Sequence, residues 1–439
     1  MASTSTTPAE RYAELTAASR ALFERALQSL PGGNSRTTVF HAPYPVYLVQ
    51  GEGCRVTDAD GVERIDFISN YTSLVHGHCH PRVVAAVQDQ AARLMSAAAP
   101  SELEVELAER IRERLPSVEL LRFGNSGTEA TMLAIRAARA FTGRKTIAVF
   151  AGAYHGTHDY ALAIPPVAGS HASARGVPEA IAASIVVCRF NDAEGTRTAL
   201  EPHLADLAAV VVEPVQGAAG VIPAEPDFLA ALRALTQDAG ALLVFDEVIA
   251  FRIAYHGAQG RYGVTPDLTA LGKIIGGGLP IGAFGGRADV MELFDPRSGS
   301  RLPHGGTFNA NPLSMAAGLT TLELLTPAEY ERLETLAGDL VAKLERLFDE
   351  RGLAARVTRA GSLFNVHLTA GPVRDHADVL ASDLELLARL HLALLGHGVL
   401  WTHRGMGCLS TPMTIAEIDA FVDAAGIALE DLDVGPPAP

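Results

Sequence analysis

One lysine, Lys273, stands inside the apolar run "LTALGKIIGGGLPIG", just ahead of the glycines Gly276, Gly277 and Gly278. A lysine is rarely buried unless it is paired, because taking an ammonium out of water is costly or forces its pKa down. Only three of the 35 basic residues are lysines. Lys145, in "TGRKTIAVF", sits at the polar entrance to a strand-like run, and Lys343, in "DLVAKLERLFDE", lies on the charged face of an amphipathic helix. Both read as solvated charges. Arginine stays protonated in proteins, whereas a buried lysine can be neutralised and then acts as an amine nucleophile or base. Lys273 is therefore the candidate amine.

Two further groups have spacings that suit it. Asp246 closes the apolar run "LLVFDEV" 27 positions before Lys273, and Glu213 follows "LAAVVV". The segment "RFGNSGTEATMLAIRAARAFTG" holds a capping box, Ser126-x-x-Glu129, in front of a helix with an apolar stripe. Its small turn residues and helix N-terminus make a phosphate site. Neither Gly-Lys-Ser/Thr nor GxGxxG occurs at this turn, which points away from ATP and NAD. Singly, these are an ordinary cap and an ordinary strand-end acid. Together they are the three parts that pyridoxal phosphate (PLP) requires: a lysine amine, a carboxylate for the pyridine nitrogen, and a helix N-terminus for the phosphate. The cluster "LVHGHCHPRV" (His76, His78, Cys79, His80) suggests zinc at first sight, but no second Cys/His pair accompanies it. It reads as a polar turn before a helix, and no metal is expected.

The elements around these residues indicate how they are positioned. From about 80 to 290, helical stretches alternate with the apolar runs "TIAVF", "ASIVVCRF", "LAAVVVEPV", "ALLVFDEV" and "LTALG". That alternation predicts βαβ units and a parallel-rich sheet with both faces covered. Ligands in such sheets lie at the carboxyl ends of the strands, where Glu213, Asp246 and Lys273 all fall. Before this region come a helix over about 12–30, ending at "PGG", and a hairpin from "PVYLVQGEG" and "CRVTDADG". After about 315 the chain turns strongly helical, alternates again through "GSLFNVHLTA", and ends in a helix near 414–431.

The 439 residues fit two domains rather than one small core. With 48% hydrophobic and 19% charged residues and a net charge of −15, nucleic acid and anionic membranes are disfavoured as main partners. The four scattered cysteines contain no CxxC pair, and no apolar run reaches membrane-spanning length. The expectation is a soluble cytoplasmic protein with reduced thiols.

The motifs "HGHCHP", "NSGTEA", "YHG", "VVEPVQG", "FDEV", "LGKIIGGGLPIGAFGG" and "HGGTFNANP" occur in an order and spacing that resemble the class III aminotransferases of PLP fold type I. The likeness runs from "GGNSR" to "RGMGCLSTP". It implies an α/β fold: a large domain with a mostly parallel seven-stranded sheet between helices, and a smaller α+β domain. The corresponding division is 1–60 (N-terminal helix and hairpin), 61–315 (PLP-binding domain) and 316–439 (small domain).

By the same resemblance, Lys273 would form the Schiff base with PLP and Asp246 would pair with the pyridine nitrogen. Ser126, Gly127 and Thr128 would hold the phosphate, and Thr307 would reach the phosphate of a second subunit in a homodimer. Tyr154 would stack on one ring face and Val248 press on the other, with Glu213 and Gln216 near the ring hydroxyl. The branch containing glutamate-1-semialdehyde aminomutase shares "GGNS" and the lysine motif. However, Arg36 directly after Ser35, the short "FDEVIAFR" and Arg404 in "THRGMGCLS" look like the β-amino acid aminotransferases. Arg36, Arg404 and Tyr71 would then meet the substrate, an amino donor that passes its nitrogen to an α-keto acid such as 2-oxoglutarate or pyruvate. The alternatives are donors that are bulky amines or D-α-amino acids, the aminomutase itself, and a cofactor-binding regulator, for which retaining both Lys273 and Asp246 would be unnecessary. Trp401 and His403, beside Arg404, either shape the pocket or simply pack.

Overall fold

The computed structural model describes residues 7–162, 176–299 and 302–434. Seven strands form the sheet that carries the charged groups. They are β1 (Leu120–Gly124), β2 (Thr146–Phe150), β3 (Ile185–Cys188), β4 (Leu207–Val212), β5 (Leu242–Asp246), β6 (Leu268–Gly272) and β7 (Gly282–Gly286). Their spatial order is β1-β7-β6-β5-β4-β2-β3. Strands β6, β5, β4, β2 and β3 pair in parallel, and β7 runs antiparallel to both β6 and β1. The sheet is thus mostly parallel, with helices on both faces.

Burial on both faces explains the unbroken apolar runs of the central strands, since successive side chains point to opposite sides. Val211 and Val244 pack with Leu133, Ala134, Ala137 and Ala138 of helix α1 (Gly127–Thr142). The residues beside them, Val210, Val212, Leu243 and Phe245, pack with Phe228, Leu229 and Leu232 of the helix Pro226–Ala239. Strands β1 and β7 carry no such signal. "GAFGG" is three-fifths glycine, yet it forms a fully buried strand. The glycine at its start has a steric cause: a Cβ on Gly282 would lie 2.0 Å from the Ser126 carbonyl oxygen.

The N-terminal segment differs from the single helix expected. Helices Pro8–Leu15 and Ala17–Ala26 are separated at Thr16, whose backbone is not helical. The hairpin forms from Leu48–Glu52 and Arg55–Asp58, and a third strand, Glu63–Asp66, extends it past residue 60. Val399–Leu400 then pairs in parallel with that third strand, so a C-terminal segment completes the sheet. After helix α2 (Pro312–Leu324) the chain forms the long helix Pro327–Glu350, a three-stranded antiparallel sheet and the last helix, Ile415–Asp431. One apolar cluster joins Ile274 and Ile275, next to Lys273, to Met315, Leu340, Trp401 and Phe421. All four cysteines are free thiols, and no described helix is long and apolar enough to cross a membrane.

Helix α2 supports the turn after β6 at very close range: a Cβ on Gly318 would come 2.0 Å from the Ile275 carbonyl oxygen. Gly318→Ala is therefore expected to push helix and turn apart and to cost roughly 1–3 kcal/mol, the usual range for overpacking. Denaturant unfolding of the variant against the parent checks this; an unchanged midpoint would contradict the contact.

Candidate active site

Strands β4, β5 and β6 are consecutive neighbours and parallel, so their carboxyl ends align. Glu213 follows the first, Asp246 ends the second and Lys273 follows the third. All three line one cavity of about 350 Å³. Lys273 is only half-buried. Its flanking residues Leu271, Gly272, Ile274 and Ile275 are buried, and its side chain alone emerges into the cavity. Its φ of 52° is left-handed, a conformation that side-chain-bearing residues avoid and that the packing around the turn maintains. Burial lowers the pKa of the Lys273 amine, with Asp246 and Glu213 opposing the shift. A lowered pKa favours the neutral, nucleophilic amine.

Asp246 is held from two sides. Its Oδ2 meets His155 Nδ1 at 2.8 Å and its Oδ1 accepts the Val248 N–H at 3.0 Å. Burial depresses the pKa of His155, but the hydrogen bond and charge of Asp246, helped by Glu213, raise it overall. Burial pushes Glu213 up to about 7, although the Tyr154 and Gly217 N–H groups donate to it at 3.1 and 3.4 Å. His155 Nε2 is buried with no hydrogen-bond partner among the described residues.

Helix α1 starts at the cavity, which Asn125, Gly127 and Thr128 line. Ser126 is its N-cap, accepting the Glu129 N–H at 3.2 Å. The return half of the expected capping box goes one residue further, with Glu129 Oε2 accepting the Asn125 N–H at 2.5 Å. The remaining amides of the first turn are open to an anion. Tyr154 and Val248 also line the cavity, and Val248 faces Gly127.

Other expected residues lie off the cavity wall. Gln216 is buried, donates to the Ala151 carbonyl at 3.1 Å, and leaves its Oε1 without a partner. Thr307 is exposed beside exposed Phe308. Arg36 and Arg404 are both exposed, and both exert their charge on half-buried Tyr71. The Tyr71 hydroxyl donates to the Thr38 carbonyl, which fixes the segment that bears Arg36. Trp401 is core, packed edge-on to Phe421 at 5.8 Å. Of the histidines of "HGHCH", His76 meets Thr411 and the Thr321 carbonyl, His78 meets Asp66, and His80 packs against the His76 ring at 5.5 Å.

Sequence reasoning did not single out His155, Asn125, Asn70 or Ser73, all of which line the cavity. His155 was legible in principle, since it stands in "YHG" beside Tyr154 and a buried carboxylate needs a partner. Asn70 was not. It lies in a turn, Ser69–Thr72, whose four residues all have positive φ without a glycine among them. Each such residue costs about 1–2 kcal/mol, and nothing in the residue types announces it.

The cavity fits PLP on three observations: open helix-start amides, a buried acid at the floor, and an amine on the wall with a lowered pKa. The family description "Aminotransferase class-III" matches residues 38–424. The chain belongs to the class III aminotransferases. As a member it uses PLP. It is 44% identical to beta-phenylalanine transaminase of Variovorax paradoxus, over 95% of this chain and 93% of that one. It is 45% identical to glutamate-1-semialdehyde 2,1-aminomutase of Sorangium cellulosum, over 91% and 92%. The crystal structure of an omega-transaminase from Sphaerobacter thermophilus superposes with a TM-score of 0.91 at 50% identity, covering 95% of this chain and 98% of the other.

The His155–Asp246 pair gives this aminotransferase a pH signature. A histidine whose pKa is raised on folding stabilises fully below its unfolded value, about 6.5, and that stability is lost as pH rises through the native pKa. His155→Gln keeps a donor but abolishes the titration. The parent is expected to exceed the variant by roughly 1–2 kcal/mol at pH 6, with the gap closing towards pH 9. Denaturation curves at both pH values check the sign.

Proposed function

We propose that this class III aminotransferase moves the amino group of a β-amino acid to an α-keto acid such as 2-oxoglutarate or pyruvate by a ping-pong route. The observation that carries the reading is the alignment of Glu213, Asp246 and Lys273 at three adjacent strand ends around one cavity. Bound PLP supplies an aldehyde that bonds amines and a ring that takes up the electron pair left when a substrate C–H bond breaks. Asp246 would pair with the pyridine nitrogen, and His155 behind it orients the carboxylate. Lys273 would contribute the resident amine for the cofactor aldehyde, and its Nζ would take up and return the substrate proton. Gly127, Thr128 and the Ser126 cap bind the phosphate. Tyr154 and Val248, on the cavity wall, would enclose the ring, and Glu213 and the more deeply buried Gln216 would lie towards its hydroxyl. Exposed Thr307 serves the phosphate of a second subunit, so the working unit is a homodimer. For this chemistry the chain divides into segments 1–60, 61–315 and 316–439.

The substrate reading rests on Arg36 and Arg404. A β-amino acid carries its carboxylate one carbon further from the reacting carbon than an α-keto acid does, so two carboxylate positions must be served. Two guanidiniums from distant parts of the chain, both acting on Tyr71, suit that need through bidentate hydrogen bonds. The 44% likeness to a beta-phenylalanine transaminase supports the same substrate class. The similarly scored aminomutase supports a competing reading, against which stands the placement of Arg36 directly after Ser35.

Mixing the holoenzyme with 3-amino-3-phenylpropanoate, without keto acid, is expected to bleach its long-wavelength cofactor absorbance, which pyruvate or 2-oxoglutarate restores. Lys273→Ala is expected to abolish turnover. Persistent absorbance with this donor would shift the search to D-α-amino acids and bulky amines. Arg36→Ala is expected to lower kcat/KM for the acid by roughly tenfold or more, the loss typical of a charge-assisted hydrogen bond, and to affect 1-phenylethylamine far less. Equal losses for acid and amine would remove Arg36 from carboxylate binding.

A further inference from the structure

Arg36 is exposed in a chain with 50 acidic residues, yet its guanidinium rests on a neutral group. Its Nη1 donates to Asn70 Oδ1 at 2.8 Å, and among the described residues no carboxylate pairs with it. The orientation of that amide is determined by its surroundings. The Ser73 hydroxyl donates to the Asn70 carbonyl at 3.0 Å, so its oxygen is left to accept the Asn70 Nδ2 donor at 3.1 Å. The amide oxygen therefore has to face outward, towards Arg36. Asn70 and Ser73 both line the cavity that holds Lys273 and Asp246. The backbone of Asn70 is left-handed, φ 49°, a conformation that Asn and Asp tolerate better than other side-chain-bearing residues.

We propose that Asn70 is a positioning and specificity residue: it is the neutral resting partner that holds Arg36 at the cavity rim and yields it to the carboxylate of an incoming amino or keto acid. The inference rests on the carboxylate-binding reading of Arg36 above. The Arg36–Asn70 bond carries charge on the donor side only, whereas a substrate carboxylate brings a full opposite charge and two oxygens for parallel N–H donors, so it outcompetes the amide. An acid at the same place would keep the guanidinium in an internal ion pair. An apolar residue would leave the long side chain unordered, and binding would then bear the entropy of ordering it.

The test is Asn70→Asp, which is compatible with the left-handed turn and differs from the parent by little more than a charge. The ratio of kcat/KM for 3-amino-3-phenylpropanoate over that for 1-phenylethylamine is expected to fall roughly tenfold, mostly through KM of the acid. The same substitution in an Arg36→Ala background is expected to leave that ratio where Arg36→Ala alone puts it. Thermal unfolding of the holoenzymes checks that the turn survives. An unchanged ratio, or equal losses for acid and amine, would overturn the proposal. So would an equal fall in the Arg36→Ala background, which would mean that the new charge repels substrate directly. If Arg36→Ala is itself unselective, the carboxylate reading of Arg36 fails and the role of Asn70 fails with it. If Arg36→Ala is selective and Asn70→Asp is silent, the role of Asn70 alone fails.

Discussion

Three adjacent strands that run the same way must end at the same edge of the sheet, and the site depends on that constraint. Parallel pairing of β4, β5 and β6 brings Glu213, Asp246 and Lys273 together although 60 positions of chain separate the first from the last. The pairing is possible because both sheet faces are covered, by α1 on one side and the helix Pro226–Ala239 on the other. Strands dressed only with Val, Leu and Phe are stable nowhere else in water. The polar groups therefore collect at the one edge where helices do not cover them.

Gathering acids in this way has an electrostatic consequence. Glu213 is buried near Asp246, and desolvation makes its charged form expensive. Asp246 is paired with His155 at 2.8 Å, and there the burial of the histidine is more than offset by the carboxylate. Lys273 experiences the opposite balance, with burial favouring its neutral amine and the two acids favouring its ammonium. The site is thus a set of mutually dependent protonation states rather than independent residues. The rigid surroundings, including α2 pressed against the turn after Lys273, keep the distances on which those states depend.

The rim is built differently. There the chain accepts strain, with four left-handed residues in succession at Ser69–Thr72. Buried Arg252 braces the end of that turn by donating to the Thr72 carbonyl at 2.7 Å, and it also reaches the Leu409 carbonyl and the Ser362 hydroxyl. The turn in turn secures the Arg36 segment twice, through Asn70 and Tyr71. The exposed arginine is thus placed by a strained support that a buried cation holds.

Much of this was legible in the residues themselves. Strands covered on both faces must be continuous apolar runs, so β2, β4, β5 and β6 were visible, as were the strand-end positions of Glu213, Asp246 and Lys273, and edge strand β3 was visible through its β-branched run. The rarity of lysine made Lys273 conspicuous, and small residues before an amphipathic helix marked the phosphate turn. Strand β7 was hidden because its glycines answer to close backbone approach, at Gly282 against Ser126, and not to strand propensity. Asn70 and the left-handed turn were hidden because their roles arise from contacts between distant segments, and His155, although its "YHG" motif was visible, acquires its role only when Asp246 meets it. Local composition, through hydrophobic periodicity and capping, determines which elements form and which end of each is polar. Which side chains then meet across those ends, and in what protonation state, is decided only when the sheet order and the surrounding packing bring them together and exclude water.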